Sequence, residues 1–435
     1  MTWFRIRQSI FTLSLSSLLA ACGGGSSNTT AYTLGGTVSG LTTSGLVLAN
    51  GTSSVAVASG ATSFTFSEQM TGDYAVSVAT QPDGQTCVVA NASGSGGSTV
   101  TSVVVNCRNY AAYTGNLAGM SLAQFTVGST GALTAQSPAI LATSNWPSSL
   151  STSVDGKFAY VGFLDSSTIG IYTISGTTGA LTALGTGTAQ SAGYGQAISP
   201  DSKYLYVANY GSATVSQFTV GSTGALTAMS TATVAAGVNP HGITISPDGL
   251  YVYVANNSDN TISQYSVGSS GALTALSPAT VSVTASGTGP VNVAVDPNSK
   301  YVYVTLANSA KLAQFSIGSG GALTALSPTS VSTGTLPYGV VVSPSGRYVY
   351  VTNAGDNTVS QYSISSGKLT ALTTATIATG SNPRGIATSP SGAYVYVTNY
   401  SDATVSSYSI GSSGLLTSVG TASTTGSGPL AVSVR

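Results

Sequence analysis

Two residues of this chain have side chains suited to hydrolytic chemistry and occupy matching places in a repeated pattern. His241 is the only histidine, and Arg384 is one of 11 lysines and arginines among 435 residues. Each follows a recurring proline, Pro240 or Pro383. Histidine is a titratable base near neutral pH, and arginine carries a permanent charge on a planar guanidinium that can bind an anion through two hydrogen bonds. We therefore treat His241 and Arg384 as candidate catalytic residues, a base and a partner for an oxyanion or carboxylate.

The positions that match His241 form a ring if the repeats close on themselves. The ring consists of Ser148, Tyr194, His241, Val291, Tyr338, Arg384 and Leu430. His241 belongs to the fourth repeat and Arg384 to the seventh, so we expect them to face each other across a channel. A purely structural role for a lone histidine at a variable position stays open as the alternative.

The remaining ionisable groups have structural explanations. Their repeat positions lie in turns, where aspartate bonds its own backbone and lysine is solvated. The aspartates are Asp155, Asp201, Asp248 and Asp296 before one strand and Asp165, Asp259, Asp356 and Asp402 after it; the cations are Lys157, Lys203, Lys300 and Arg347. One histidine and no cluster of ligands give no basis for a metal site, and we expect no cofactor.

The repeat is clearest in residues 239–278. Apolar and β-branched runs alternate there with turns such as Pro247-Asp248-Gly249, which predicts four short strands. The tyrosine of the tetrad Tyr253-Val254-Ala255-Asn256 recurs in seven copies, spaced by 47, 46, 47, 50, 47 and 46 residues. Seven units of four strands at this period predict a seven-bladed β-propeller over residues 109–435.

The two ends of the repeat region complement each other. The first copy lacks the strand that begins with the recurring proline, whereas residues 428–435 supply such a strand with no hairpin after it. We therefore expect this C-terminal strand to complete the first blade, which removes two exposed sheet edges.

Residues 1–21 have the pattern of a targeting segment. Arg5 and Arg7 form a basic start, and an apolar run too short to span a bilayer follows. Leu19-Ala20-Ala21-Cys22 resembles a bacterial lipobox, which implies cleavage before Cys22, acylation of its thiol and attachment to a membrane. Gly23 follows the cysteine, and a residue other than aspartate at that position resembles lipoproteins that are sorted to the outer membrane. A plain secretory signal is the alternative. Residues 22–30 then form the lipidated end and a flexible tether.

Residues 31–108 lack the repeat and form a second domain. Short β-rich runs between glycine, serine and asparagine turns predict a small Ig-like β-sandwich. Cys87 and Cys107 are the cysteines left after lipidation of Cys22, and export to an oxidising compartment favours a disulfide between them. Two free buried thiols are the alternative.

The composition limits the partners. Only 5% of residues are charged, with 11 basic and 11 acidic side chains. No basic patch suits phosphates, so we expect no nucleic acid partner. We expect a monomer whose neutral surface, rich in tyrosine, serine and threonine, suits a protein or glycan ligand.

The tetrads at 253–256 and 350–353 resemble the YVTN repeat of bacterial and archaeal surface β-propellers. They also resemble the seven-bladed lactonase family that includes 6-phosphogluconolactonase. The resemblance implies the all-β fold and makes a lactone hydrolase one hypothesis, with His241 and Arg384 as its residues. The other hypothesis is a lipid-anchored envelope scaffold that binds protein or glycan. A 6-phosphogluconolactonase activity itself fits poorly, because only Arg384 is placed to meet a phosphate and this chain has an export signal.

Overall fold

The computed structural model describes residues 30–82, 84–189, 193–420, 423–424 and 426–435. The predicted signal segment, Cys22 and all but the last residue of the predicted tether lie outside the described residues. Within these ranges no helix is long and apolar enough to cross a membrane.

Eight strands precede the repeats. They are β1 (Leu34–Ser39), β2 (Leu46–Asn50), β3 (Ser53–Val57), β4 (Ser63–Thr65), β5 (Tyr74–Thr80), β6 (Gln85–Ala90), β7 (Ser93–Gly94) and β8 (Val100–Asn109). Two four-stranded sheets, ordered β4-β1-β8-β6 and β3-β2-β5-β7, enclose one apolar core. β1 contains two glycines, which weaken its strand pattern in the sequence. Cys87 and Cys107 lie opposite each other on β6 and β8 and form a disulfide.

Seven blades follow, each of four strands except the last, in which the short fifth strand β36 also pairs with β34. Their strands, in chain order, are β9 (Ala111–Asn116), β10 (Ser121–Val127), β11 (Leu133–Ala142), β12 (Pro147–Thr152), β13 (Phe158–Phe163), β14 (Thr168–Ile174), β15 (Leu181–Thr188), β16 (Gly193–Ile198), β17 (Tyr204–Asn209), β18 (Thr214–Val220), β19 (Leu226–Ala235), β20 (Pro240–Ile245), β21 (Tyr251–Asn256), β22 (Thr261–Val267), β23 (Leu273–Ser282), β24 (Pro290–Val295), β25 (Tyr301–Leu306), β26 (Lys311–Ile317), β27 (Leu323–Ser332), β28 (Pro337–Val342), β29 (Tyr348–Asn353), β30 (Thr358–Ser365), β31 (Lys368–Ala378), β32 (Pro383–Thr388), β33 (Tyr394–Asn399), β34 (Thr404–Ile410), β35 (Leu416–Ser418), β36 (Ser423–Thr424) and β37 (Pro429–Val434). A 3₁₀ turn, Ala307–Ser309, follows β25.

The C-terminal strand closes the propeller. β37 pairs antiparallel with β9, so blade 1 has the order β11-β10-β9-β37 with its innermost strand taken from the chain end. The innermost strands β37, β12, β16, β20, β24, β28 and β32 each contact the next, and β32 contacts β37. The ring is therefore closed, as the sequence predicts for residues 428–435.

Each tetrad tyrosine joins its blade to the next one. The hydroxyls of Tyr113, Tyr160, Tyr206, Tyr253, Tyr303, Tyr350 and Tyr396 donate to the carbonyls of Gly179, Gly224, Gly271, Gly321, Gly367, Gly414 and Gly131 at 2.5–3.0 Å. These glycines lie in the turn before the outermost strand of the neighbouring blade. Gly321 shows why glycine is needed, because its φ is +83° and the ring of Tyr251 lies where a Cβ would project.

A glutamine that recurs at the same position in five blades adds a second connection between neighbouring blades. Gln124, Gln217, Gln264, Gln314 and Gln361 each accept a hydrogen bond from the backbone N–H of the leucine that starts the next blade's outermost strand. Their amide nitrogens donate to a carbonyl within the same blade. Blades 2 and 7 carry Ile171 and Ser407 at this position, so their joints depend more on the tyrosine.

The tyrosine connection can be tested at Tyr253. Burial raises the pKa of Tyr253, so the hydroxyl stays protonated and donates to Gly321. Tyr253→Phe leaves that buried carbonyl without its donor, and we expect a loss of about 1–3 kcal/mol in the free energy of unfolding by denaturant. The control is Tyr251→Phe on the same strand, whose exposed hydroxyl bonds Ser319 of the same turn and should contribute less than about 0.5 kcal/mol. Equal losses in the two variants would contradict this role.

Candidate functional site

Four of the seven predicted ring residues meet at one end of the central channel. The rings of Tyr194 and His241 stack with centroids 3.6 Å apart, and Tyr338 meets His241 edge to face at 5.7 Å. The hydroxyls of Tyr194 and Tyr338 lie 2.8 Å apart, which joins blade 3 to blade 6 across the channel. The guanidinium carbon of Arg384 lies 4.5 Å from the centre of the Tyr338 ring. These four side chains, here called the mouth cluster, are the chemically distinctive part of the ring.

The other three ring positions form the wall. Ser148 Oγ donates to the carbonyls of Gly193 at 2.5 Å and Gly162 at 3.1 Å, so its hydroxyl is already engaged. Val291 and Leu430 are buried apolar side chains. The predicted ring thus has aromatic, imidazole or guanidinium side chains in blades 3, 4, 6 and 7 and hydrogen-bonded or apolar ones in blades 1, 2 and 5.

A β-bulge at the start of each innermost strand aims these side chains. The pairing with the second strand shifts register after the first residue in all seven blades, for example between Pro240 and Ile243. A bulge bends the strand and redirects a side chain. In blade 6 the Thr352 hydroxyl holds the bulge, since it accepts from the N–H of Gly339 and donates to the carbonyl of Arg384, both at 2.8 Å.

Arg384 forms no ion pair with a carboxylate of the described residues. Its guanidinium lies over Tyr338 and, at 5.9 Å, over Tyr400, and its Nε is buried without a hydrogen-bond partner. The ion pairs in the described part of the chain join Lys157 to Asp155 and Lys203 to Asp201, in turns at the opposite end of the blades. A partly desolvated guanidinium between aromatic rings is suited to bind an anion or a developing oxyanion.

His241 differs from its sequence-based prediction. Burial, and then the charge of Arg384, lower the pKa of His241 to about 3, although a hydrogen bond to the backbone of Val291 opposes the shift. The expectation of a base that titrates near neutral pH is therefore wrong, because the sequence does not reveal the surrounding low-dielectric environment. The imidazole is neutral at pH 7, with one nitrogen engaged by Val291 and the other available as an acceptor.

Two tyrosines of the site were missed by sequence reasoning. Tyr210 contacts Tyr194 at 5.6 Å and His241 at 6.3 Å between ring centres, and Tyr400 lies beside Arg384. Both directly follow a tetrad asparagine, Asn209 or Asn399, where the other blades carry leucine, asparagine or alanine. That aromatic departure from the repeat was the available signal.

The aspartates near this end have a structural role. Carboxylates of Asp165, Asp259, Asp356 and Asp402 accept from backbone N–H groups of Trp146, Val238, Thr335 and Ser381 at 2.6–2.8 Å. Hydrogen bonds from Thr335 hold the pKa of Asp356 below its usual value, and those from Ser381 do the same for Asp402. These carboxylates fix the loops that lead into the innermost strands, as their turn positions suggested. No group of three histidines, cysteines or acids in the described ranges could hold a metal ion.

A cavity of about 150 Å³ lies against the mouth cluster inside the channel. Tyr194, His241 and Tyr338 line it together with glycine, aliphatic and polar residues of the innermost strands. The opposite end of the channel opens into a space of about 380 Å³ lined mainly by aliphatic and hydroxyl side chains, together with Arg435. Burial lowers the pKa of Arg435, and Arg108 lowers it further. Because aromatic, imidazole and guanidinium groups converge only at the first end among the described residues, that end is the candidate site.

Comparison with solved structures supports the fold. A Pseudomonas aeruginosa periplasmic gluconolactonase aligns with a TM-score of 0.64 and 20% identity, covering 75% of this chain and 98% of its own. A Lactobacillus plantarum protein aligns with a TM-score of 0.65 and 22% identity over 75% of this chain and 99% of its own. A Bacteroides fragilis protein described as a candidate 6-phosphogluconolactonase aligns with a TM-score of 0.64 and 20% identity, covering 75% of this chain and 98% of its own. These identities support a shared fold alone.

A search of curated proteins gives no match. The sequence does match the family model described as "Lactonase, 7-bladed beta-propeller" over residues 196–434, more than half of the chain. This segment includes both candidate catalytic residues, His241 and Arg384. The chain therefore belongs to the seven-bladed β-propeller lactonase family.

Proposed function

We propose that this protein hydrolyses a lactone at the channel end that carries the mouth cluster. The observation behind the proposal is the unpaired guanidinium of Arg384, held by Tyr338 and Tyr400 beside a neutral His241. Lactone hydrolysis passes through an oxyanion and yields a carboxylate, and both are anions that such a guanidinium stabilises. Family membership favours this hypothesis over the binding scaffold.

The proposed reaction uses groups of this chain and one water. The free nitrogen of His241 orients a water, whose oxygen attacks the carbonyl carbon while the carbonyl oxygen becomes an oxyanion beside Arg384. The tetrahedral intermediate then collapses, the ring C–O bond breaks, and the proton lost by the water passes to the departing alkoxide. The product is a hydroxy acid whose carboxyl group releases its proton to solvent, and the resulting carboxylate pairs with Arg384. Neutral phenols of Tyr194 and Tyr338, whose pKa values are raised by burial, remain hydrogen-bond donors throughout.

A scaffold that binds protein or glycan remains the second candidate. The observation that favours it is that two large apolar side chains are exposed in the loops before the innermost strands of blades 2 and 6. Trp146 is 45% exposed, and Leu336 is 54% exposed with a positive φ of 49°, which a leucine rarely adopts. The turnover test below separates this candidate from the hydrolase.

The turnover test uses the chain from Gly23 onward with a panel of sugar and aliphatic lactones. We expect Arg384→Ala to lower kcat/KM by about 10²–10³-fold, through loss of oxyanion stabilisation, and His241→Ala by about 10²-fold. The matched control is Arg347→Ala, which removes an arginine stacked on Tyr348 at 5.5 Å at the other end of blade 6. Absence of turnover above buffer would favour the scaffold, whereas full activity in folded Arg384→Ala would contradict the assignment of the reaction to the mouth cluster.

The pH dependence should reflect the lowered pKa of His241. A free histidine near pKa 6.5 would lose its base form between pH 7 and 5, whereas a pKa of about 3 keeps His241 unprotonated across that range. We therefore expect kcat/KM to stay nearly constant from pH 7 to about pH 4.5 after subtraction of the spontaneous reaction in the same buffers. A decline with an apparent pKa near 6.5 would contradict a buried neutral imidazole in this role.

We also propose that the protein is an exported lipoprotein of the bacterial cell envelope, attached through acylated Cys22. Basic Arg5 and Arg7, the short apolar run and the Leu19–Cys22 motif support this location. In a Gram-negative host, Cys22→Ser should move the protein from the membrane fraction to the soluble periplasmic fraction, because several acyl chains anchor stably. Cys87→Ser with Cys107→Ser serves as the control, since it changes cysteines without affecting the anchor. Membrane retention of Cys22→Ser would contradict the proposal.

A further inference from the structure

A groove lies along the outer part of blade 2, beside the loop that leads from blade 1 into it. Its volume is about 470 Å³, within the range of about 300–1,000 Å³ that is usual for small-molecule sites. Phe163 and Tyr172 line it together with hydroxyl and amide side chains of residues 143–145 and with part of β15, and none of the lining residues of the described chain is charged. This space, here called the blade 2 groove, shares no lining residue with the channel cavity.

Blade 2 lacks a set of polar contacts that four other blades make at this place. In blades 3, 4, 6 and 7 the tetrad asparagine donates from Nδ2 to a threonine and a serine of the next strand at 2.8–3.0 Å. Blade 2 keeps Thr168 but carries Phe163 and Gly170 in place of the asparagine and the serine. Gly170 accommodates the rings, because a Cβ there would lie 3.2 Å from Phe163 and 2.9 Å from Tyr172. The two departures therefore depend on each other and replace a polar contact with an aromatic floor.

The outermost strand of blade 2 is also shortened. β15 has 8 residues, whereas the outermost strands of blades 1, 3, 4 and 5 have 10. In blade 4 four residues, 276–279, bulge out of the strand pairing, whereas in blade 2 only Leu184 does so. Gln264 holds the longer bulge through the carbonyl of Pro278, and Ile171 replaces that glutamine in blade 2. Loss of the longer bulge leaves Leu184 49% exposed at the border of the groove.

The hydroxyl of Tyr172 is the distinctive polar group of the groove. Tyr265, Tyr362 and Tyr408 occupy the same position in blades 4, 6 and 7, and each donates to a carbonyl of the preceding blade at 2.5–2.7 Å. Blades 1, 3 and 5 carry phenylalanine there. Tyr172 makes no such bond to a described residue, and burial raises its pKa, so the phenol stays protonated. A neutral hydroxyl in the groove wall can both donate and accept.

Blade 5 shows a covered form of the same departure. Leu306 replaces the tetrad asparagine there, and the loop that leads into blade 5 has seven residues instead of four. Val283 of that loop packs in one apolar cluster with Leu306, and both are fully buried. The loop into blade 2, residues 143–146, has the usual four and lacks the hydrogen bond from a loop N–H to the tetrad asparagine that Gly237 makes to Asn256. The groove in blade 2 is therefore not filled by the chain itself.

From these departures we propose that the blade 2 groove binds a neutral oligosaccharide. Saccharides combine apolar C–H faces with neutral hydroxyls, which match aromatic rings flanked by hydroxyl and amide side chains. The uncharged lining offers no partner to an acidic or phosphorylated ligand. An extended peptide that pairs with β15 is the competing occupant, but the bulge at Leu184 interrupts pairing along that edge. The site is separate from the channel, so it can attach the protein to a glycan whether or not the channel end hydrolyses a lactone.

The test titrates the chain from Gly23 onward with cellohexaose, maltohexaose and N-acetylchitohexaose by calorimetry. A hexasaccharide is too large for the channel cavity of about 150 Å³, so the measured heat reports a site outside it. We expect one of these probes to bind, and Phe163→Asn combined with Gly170→Ser to weaken its binding about tenfold or more. This double variant restores the asparagine, threonine and serine set that other blades carry, so it should fold, and thermal unfolding checks that it does.

Two further variants sharpen the result. Tyr172→Phe removes only the hydroxyl, gives the residue type of blades 1, 3 and 5, and should weaken binding about threefold or more. The matched control is Leu336→Asn, which removes an exposed apolar side chain from the loop into blade 6 and inserts the residue type that blades 4 and 7 carry there. Binding that weakens in both groove variants and is unchanged in Leu336→Asn supports the proposal.

Three outcomes would overturn the saccharide assignment. The first is that none of the three hexasaccharides binds. The second is that the folded double variant binds as tightly as the unmodified protein, which would place the saccharide elsewhere. The third concerns a peptide of alternating valine and threonine, titrated in parallel as a probe of pairing to β15. If this peptide alone binds and the double variant loses it, the groove is a peptide site.

Discussion

The propeller depends on one hydrogen bond made seven times, from the tetrad tyrosine of each blade to a turn glycine of the next. A four-stranded sheet cannot cover both of its faces, so each blade is stable only against its neighbours. The tyrosine places a large ring in the joint between blades and uses its hydroxyl to satisfy a buried carbonyl. The seventh bond, from Tyr396 to Gly131, connects the last blade to the first and complements the C-terminal strand in blade 1.

The hydrogen bonds between blades run from the second strand of one blade to the turn before the outermost strand of the next. Because they do not involve the first residues of the innermost strands, those residues can vary. The bulge after the recurring proline directs one side chain per blade towards the channel end, and the fold tolerates serine, tyrosine, histidine, valine, arginine or leucine there. The mouth cluster is built entirely from such tolerant positions, and Tyr210 and Tyr400 beside it come from the position after the tetrad. The same separation of framework and variable positions explains how a low-charge, repetitive chain can hold a distinctive site.

The sequence was sufficient for the features that depend on local pattern. The period of the tetrad predicts seven blades, the orphan strand at 428–435 predicts the closure, and the positions after the prolines predict which residues reach the channel end. It was not sufficient for properties that depend on the three-dimensional environment. The neutral state of His241 follows from burial and from the charge of Arg384, which is far away in sequence. Tyr210 and Tyr400 belong to loops after the second strand of their blades, and the spacing of the repeats does not show where the side chains of those loops lie.

Charge scarcity gives the single unpaired cation of the site its significance. With only 5% of residues charged, few groups compete for Arg384, and the carboxylates at the same end are occupied by backbone N–H groups. A guanidinium that is partly removed from water and has no carboxylate partner is costly unless an anion arrives during function. Stacking on Tyr338 and Tyr400 offsets part of that cost without neutralising the charge. One positive charge matches the single negative charge that develops when a lactone opens, whereas a phosphate dianion would remain half compensated.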